Sequence, residues 1–370
     1  MAPRTAPPYR ADHVGSLLRP PELLRARDDL HAGRITAAQL RETEDRAIRD
    51  AVRMQEEIGL QSATDGEYRR REFHLDFIYR IRGIVKGLSS RIVPAHTREG
   101  RDIEYLPPGV RVTGKLGLTE TIFGDDFRFL ASAARDATPK QTIPSPSMVH
   151  FLADVDPGVY RDPRRFRADV AETYAEEVRR LSDLGCTYLQ LDDTIFGFLG
   201  DPVWRERAVD MGGDPEHQHE VNVTVINQAL AARPRGLTVT VHICRGNYQS
   251  SWFSEGGYDY VAEPLFSQLE VDGFFLEYDD ARAGTFEPLR FVPDDKMVVL
   301  GLITTKTPAL ESKDDVKRRV EEAARFVPVE RLCLSPQCGF ASTAEGNALT
   351  RDQQRAKLEL LLETAADIWG

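Results

Sequence analysis

A chain of 370 residues has room for one large domain or two ordinary ones, and its 41% apolar and 29% charged residues are the composition of a soluble globular protein. The formal net charge of −11 disfavours a nucleic-acid or anionic-membrane partner, while a local basic pocket stays permitted. No apolar run approaches the roughly 18–20 residues needed to span a bilayer, and "MAPRTAPPYRADH" at the N-terminus has no apolar core for a secretory signal, so a cytoplasmic location is expected.

A strand-like run followed by a polar, helix-periodic stretch recurs along the chain. The first strand is expected at "RADHVGS" (10–16), then a helix at 35–60 ending near Gly59, then a second strand at "QSATDGE" (61–67). Residues 68–139 carry turn signals ("TREG", "LPPG") and short strand-like pieces, and read as an elaborated loop after the second strand. Its charge run "RRRE" (69–72) reads as a solvated face that could also meet an anionic donor. A third strand, "KQTIPSP" (140–146), precedes a helix at 163–186 stopped by the C-cap glycine Gly185. The fourth strand is "TYLQLDD" (187–193). His217 and His219 follow with metal-like spacing, but their polar stretch assigns them to a solvated surface. The fifth, sixth and seventh strands are "LTVTVHIC" (237–244), "DGFFLEY" (272–278) and "KMVVLGLI" (296–303). A helix at 312–327 opens with a serine N-cap and an acidic first turn, and "RLCLSP" (331–336) is the eighth strand.

Such alternation implies a parallel sheet, and eight units close naturally into an α/β fold of the (β/α)8 TIM-barrel type. Residues 1–370 then form a single catalytic domain, with 68–139 an inserted excursion. A doubly wound open sheet is the alternative, but no G-x-G-x-x-G turn follows an early strand.

In a barrel of this kind the C-terminal strand ends share one mouth. They carry His13 and Ser16, Asp65 and Glu67, Asp192 and Asp193, His242 and Cys244, and Glu277, with Cys338 in the turn after the last strand. His242 and Cys244 are two apart on a strand and so share a face. With Cys338 and Glu277 they make a tetrahedral zinc set of one nitrogen, two sulfurs and one oxygen. The carboxylate is the weakest of the four ligands and could yield to an incoming thiolate. Four cysteines in so long a chain are not a disulfide framework, and Cys186 and Cys333, inside apolar runs, read as buried core thiols.

"HVGSLLRP", "TDGE", "LQLDD", "HICRGN", "FFLEYDD" and "SPQCGF", in that order from residue 13 to 340, resemble the catalytic half of cobalamin-independent methionine synthases, and more closely that family's single-domain members. The resemblance implies zinc on His242, Cys244, Glu277 and Cys338, and methyl transfer to the thiol of homocysteine. Ser16 and the backbone of Gly15, beside His13, would hold the substrate carboxylate, and Glu67 and Asp192 its ammonium group. A zwitterionic thiol fits that set, since two carboxylates match its ammonium group and zinc removes the thiol proton.

The donor side departs from the family. Where the full-length synthases carry an aspartate and a histidine thought to protonate departing folate, "GLITTKTP" offers Thr304 and Lys306. Lys306 is therefore the acid candidate and, with Asp192, the catalytic pair. The family's pterin-stacking tryptophan has only His150 and Phe151 in its place, the three tryptophans lying elsewhere. Methyltetrahydrofolate or a methylcobalamin-like carrier is expected as donor, the non-folate one favoured because its mouth lacks folate machinery. The alternatives are alkyl transfer to another small thiol, as in coenzyme M transferases, and a non-catalytic thiol- or zinc-binding protein. A uroporphyrinogen-decarboxylase-like barrel would call for arginines at the mouth. Self-association into a homo-oligomer stays open.

Overall fold

Twelve strands and the helices between them make up the computed structural model, which describes residues 4–88, 93–100, 102–210 and 213–370. In chain order the strands are β1 (Ser62–Ala63), β2 (Arg82–Gly87), β3 (Val93–Ala95), β4 (Ile103–Tyr105), β5 (Gly109–Gly117) and β6 (Thr138–Pro144). They continue with β7 (Ala153–Val155), β8 (Tyr188–Asp193), β9 (Thr238–Ile243), β10 (Gly273–Glu277), β11 (Met297–Ile303) and β12 (Leu332–Pro336). Seven of them form one all-parallel sheet in the order β1-β6-β8-β9-β10-β11-β12.

Strand periodicity divides the sheet's residues between its two faces. Leu189, Leu191, Val239, Val241, Phe274, Leu276, Val298 and Leu300 pack into the main apolar core with the helices. Each fully buried side chain of this kind contributes about 1.5–3 kcal/mol. The alternate residues form a smaller cluster of Val14, Phe275, Met297, Val299 and Cys333. Lys140 on β6 reaches Phe275 on β10, its Nζ 4.1 Å from the ring centroid, although β8 and β9 lie between those strands. The sheet is therefore curled, with this second face inside the curve. Lys140 is charge-matched there by Asp12 at 3.3 Å and also donates to His13 O at 2.6 Å.

The helices follow the periodicity closely. They span Ala37–Glu57, capped by a Thr36–Gln39 box, Pro163–Asp183, and Lys313–Ala323 with Ser312 as N-cap. Gly59 and Gly185 adopt φ of +97° and +95° just beyond the first two, the left-handed region that glycine enters at least cost. No helix among the described residues is long and apolar enough to cross a membrane.

Two expected strands are nearly absent. Residues 10–16 make only a one-residue parallel bridge, Ala11 to Leu334 on β12. The Asp12 side chain accepts from the backbone N–H groups of Tyr9 and His13, which competes with a ladder. On its other side the segment is tied to β1 and the turn after it, through Ser62 Oγ to Asp12 (2.8 Å), Thr64 Oγ1 to Gly15 O (2.6 Å) and Leu17 N to Gly66 O (3.1 Å). The second strand stops after Ala63 because Gly66 and Glu67 turn the chain at φ of +67° and +60°.

Between β1 and β6 the chain builds two further sheets: β3 pairs with β4, and β2 and β5 recruit β7. Only Arg71 of the "RRRE" run is exposed. Arg70 is fully buried and Arg69 lies among Asp45, Asp126 and Glu44. His219 likewise is buried, edge-on to Tyr260, while His217 is exposed and paired with Asp214.

Candidate active site

A cavity of about 940 Å³, including its open mouth, lies at the C-terminal ends of the strands. Ser16, Glu67, Asp192, His242, Cys244 and Cys338 all line it, although 322 positions separate the first from the last.

The soft ligands converge. His242 is on β9, Cys244 one residue past its end, and Cys338 in the turn after β12, and their ligand atoms all lie within 4.8 Å of one another. Zinc bonds of about 2.0–2.3 Å would set neighbouring ligands roughly 3.3–3.8 Å apart, a small side-chain adjustment away. All three residues are buried, and neither ring nitrogen of His242 has a hydrogen-bond partner. A buried imidazole without partners costs free energy that a metal bond would recover. The Cys244 thiol shares its proton with Cys338, which holds Cys338 well below the usual thiol range and raises Cys244. Burial would depress His242, but Cys338, then Asp192 and Glu277, raise it. The donor set fits zinc.

Glu277 stands apart from that trio. Its carboxylate accepts from Arg282 and from the backbone N–H of Arg245 (2.9 Å), so an ion pair holds the oxygen that sequence reasoning assigned to metal.

Beside the soft ligands are two carboxylates. Glu67 Oε1 accepts from Thr142 at 3.0 Å, while its Oε2 is buried with no partner. Asp192 Oδ1 accepts from Gln190 at 2.7 Å. Burial raises Glu67, against Arg70, and pushes Asp192 up to about 7, against His242. Glu67 Oε1 also lies 3.5 Å from Arg70 Nη1, so of the two carboxylates' oxygens it is Glu67 Oε2 that is left free for a cation. Asp193 is different: it caps the short helix Ile195–Leu199 through Ile195 N (2.7 Å) and Phe196 N (3.1 Å) and binds the Ser145 and Ser147 hydroxyls. Ser16 Oγ accepts from Ala341 N at 3.3 Å, which leaves its proton free to donate. Gly15 holds φ of +150°, and a Cβ there would meet Thr142 at 2.8 Å and Glu67 at 3.4 Å.

Other expected residues face elsewhere. The His13 ring lies beside Gln55 and Ser62, outside the cavity lining, and burial lowers it to about 4. On the helix Pro146–Leu152, Met148 and Leu152 line the cavity, while His150 faces Asn222 and Phe151 packs on the main core. Helical spacing of four puts the first pair on one face and turns the residues between them away. Lys306 is buried but does not line the cavity: its Nζ donates to Gly246 O (3.4 Å), Asn247 Oδ1 (3.2 Å) and Ser251 O (3.2 Å). It anchors the loop after β9.

Sequence reasoning missed an aromatic wall. Phe198 and Trp204 stack at 4.1 Å and 11°, and both line the cavity, so one tryptophan reaches the site after all. Tyr105 from β4 packs on Tyr248 (4.8 Å) and Phe253 (5.4 Å), which also line it. The clustering of Tyr248, Trp252 and Phe253 just after Cys244 was the only local signal of it.

A family model described as "Cobalamin-independent synthase, Catalytic domain" matches residues 11–366. The chain is 47% identical to the uncharacterized protein YxjH of Bacillus subtilis, over 98% of this chain and 95% of that one. It is 25% identical to the methionine synthase of Sulfolobus acidocaldarius, over 88% of this chain and 84% of the relative. A solved structure from Listeria monocytogenes, described as a candidate vitamin-B12-independent methionine synthase, matches with a TM-score of 0.80 at 37% identity, covering 99% of this chain and 100% of that one. The chain therefore belongs to the cobalamin-independent methionine synthase family, the homocysteine methyltransferases, through that family's catalytic domain.

Proposed function

We propose that the protein is a zinc-dependent methyltransferase that methylates the thiol of homocysteine to form methionine, on a single cytoplasmic domain whose eight segments act as a (β/α)8 barrel. The observation that carries this reading is the meeting of His242, Cys244 and Cys338 within 4.8 Å in the cavity that Glu67 and Asp192 also line. Zinc, when bound, supplies the Lewis acidity that keeps a thiol deprotonated near neutral pH.

The protein's own residues orient the amino acid. The unpartnered Oε2 of Glu67 and the carboxylate of Asp192 take the ammonium group, and the Ser16 hydroxyl donates to the carboxylate. Burial of Ser16, Glu67 and Asp192 lowers the dielectric around them, which strengthens each of these contacts. With Glu277 held by Arg282, His242, Cys244 and Cys338 would hold the zinc ion. The paired carboxylates weigh against coenzyme M as acceptor, because its sulfonate brings no ammonium group.

The test is methionine formation by zinc-loaded protein supplied with homocysteine and a methyl donor, alongside calorimetric binding of homocysteine alone. Binding with no transfer to any donor would make this a thiol-binding protein. Absence of homocysteine binding would end the reading altogether.

A further inference from the structure

The remaining wall of the cavity is built of rings. Phe198, backed by Trp204 at 4.1 Å, is joined to the trio of Tyr105, Tyr248 and Phe253 by the Trp204 indole N–H, which donates to Phe253 O at 2.6 Å. Glu72 accepts from the Tyr105 hydroxyl at 3.1 Å and adds negative charge behind that ring. Among the described residues no lysine or arginine lines the cavity. Arg207 lies 5.2 Å from the Trp204 ring centroid but is not part of the lining. Ring faces, with no lysine or arginine among the lining residues to occupy them, attract positive charge.

The cavity's two raised carboxyls, Glu67 and Asp192, are taken by the amino acid's ammonium group in the reading above, which leaves neither for a departing nitrogen. Lys306 is turned into the loop 246–251 with three acceptors around its ammonium. His74, which does line the cavity, is held by burial at about 4 and so stays uncharged at neutral pH. Val93, Tyr105 and Pro107 of the excursion line the mouth.

We propose that the methyl donor is an onium compound, a sulfonium or quaternary ammonium ion, held by Phe198, Trp204, Tyr105, Tyr248 and Phe253. The inference rests on the homocysteine reading above. The homocysteine sulfur forms a bond to the methyl carbon as the bond from that carbon to the positive sulfur or nitrogen breaks. The electron pair of the broken bond goes to the leaving atom, which departs as a neutral thioether or tertiary amine. The thiol proton goes to solvent. No acid is required, which matches a cavity whose carboxyls are engaged by the amino acid.

The experiment supplies zinc-loaded protein and homocysteine with S-methylmethionine, S-adenosylmethionine, glycine betaine, methyltetrahydrofolate or methylcobalamin in separate arms. One of the first three should give the fastest methionine formation, and the arms distinguish sulfonium from ammonium. Choline should compete with the donor at least tenfold better than its uncharged tert-butyl isostere, a comparison that needs no variant. Phe198→Leu and Tyr248→Leu should each raise the donor KM by roughly 2–30-fold, the range expected of one cation–π contact, with kcat nearly unchanged. Turnover confined to the folate or corrinoid arm, or equal competition by choline and its isostere, would overturn the onium assignment while leaving homocysteine binding intact. Bound homocysteine with no transfer in any arm would overturn it too, whereas loss of homocysteine binding would instead strike the reading it rests on.

Discussion

Replacing Lys306 by methionine separates two roles for that residue. Its ammonium donates to Gly246 O, Ser251 O and Asn247 Oδ1, and Asn247 in turn donates to Gly339 O at 2.8 Å. One cation thus ties the loop behind Cys244 to the turn that carries Cys338. Methionine fills the space but leaves two buried carbonyls without donors, at about 1–3 kcal/mol each, or roughly 2–6 kcal/mol in all. That is a large share of the roughly 5–15 kcal/mol that holds a domain folded. The variant also removes positive charge facing Cys338, Glu277 and Asp279. Support of this kind around metal ligands is worth about 10–100-fold in affinity. Lys306→Met should therefore lower the urea midpoint of the metal-free protein and weaken zinc in a chelator competition, while turnover of the zinc-saturated enzyme changes a few-fold and keeps its pH profile. A variant as stable and as tight for zinc as the parent, but with transfer abolished and one limb of the pH profile gone, would make Lys306 the acid and refute this account.

Cys244→Ser and Cys338→Ser should each lose zinc and stay folded, since the main core does not include either residue; full zinc occupancy by metal analysis in both would remove them as ligands. Asp192→Asn should weaken homocysteine binding by roughly ten- to a hundredfold, for a charge-assisted contact of about 1.5–3 kcal/mol, while a simple alkyl thiol binds as before. Equal homocysteine affinity in parent and variant would reassign Asp192. Glu177 gives a pH test away from the site: burial pushes it up to about 7 from an ordinary 4.5, against the N–H groups of Ile122 and Phe123. A carboxyl raised in the folded state contributes stability fully below 4.5 and loses it as pH rises through about 7, an effect of about 3 kcal/mol. Glu177→Gln should thus gain on the parent between pH 5 and pH 8 in urea melts, and a pH-independent difference would contradict it.

The strand ends were legible because their chemistry is local. A period of two sends His242 and Cys244 to one side of β9 whatever surrounds them. Eight strands were expected and seven pair in the main sheet, because Asp12 captures the N–H groups of Tyr9 and His13; the second is cut to two residues where Gly66 and Glu67 turn the chain after Ala63. The count of units survived as a succession along the chain, while the ladder of the first did not.

By itself, then, the sequence determined the parallel order, the capped helices and which ligand types end which strands, since backbone geometry links neighbours a few positions apart. Tertiary structure alone decided where Lys306 and Glu277 spend their charge: one among three loop acceptors, the other against Arg282. It alone decided that Met148 and Leu152, and not His150 and Phe151, meet the cavity, because the rotation of a helix about its axis is set by what packs behind it. It alone assembled the aromatic wall, from residues 105, 198, 204, 248 and 253. Rings so far apart in sequence have no spacing that marks them as neighbours; they meet because the curled sheet and the excursion bring their loops over the same strand ends.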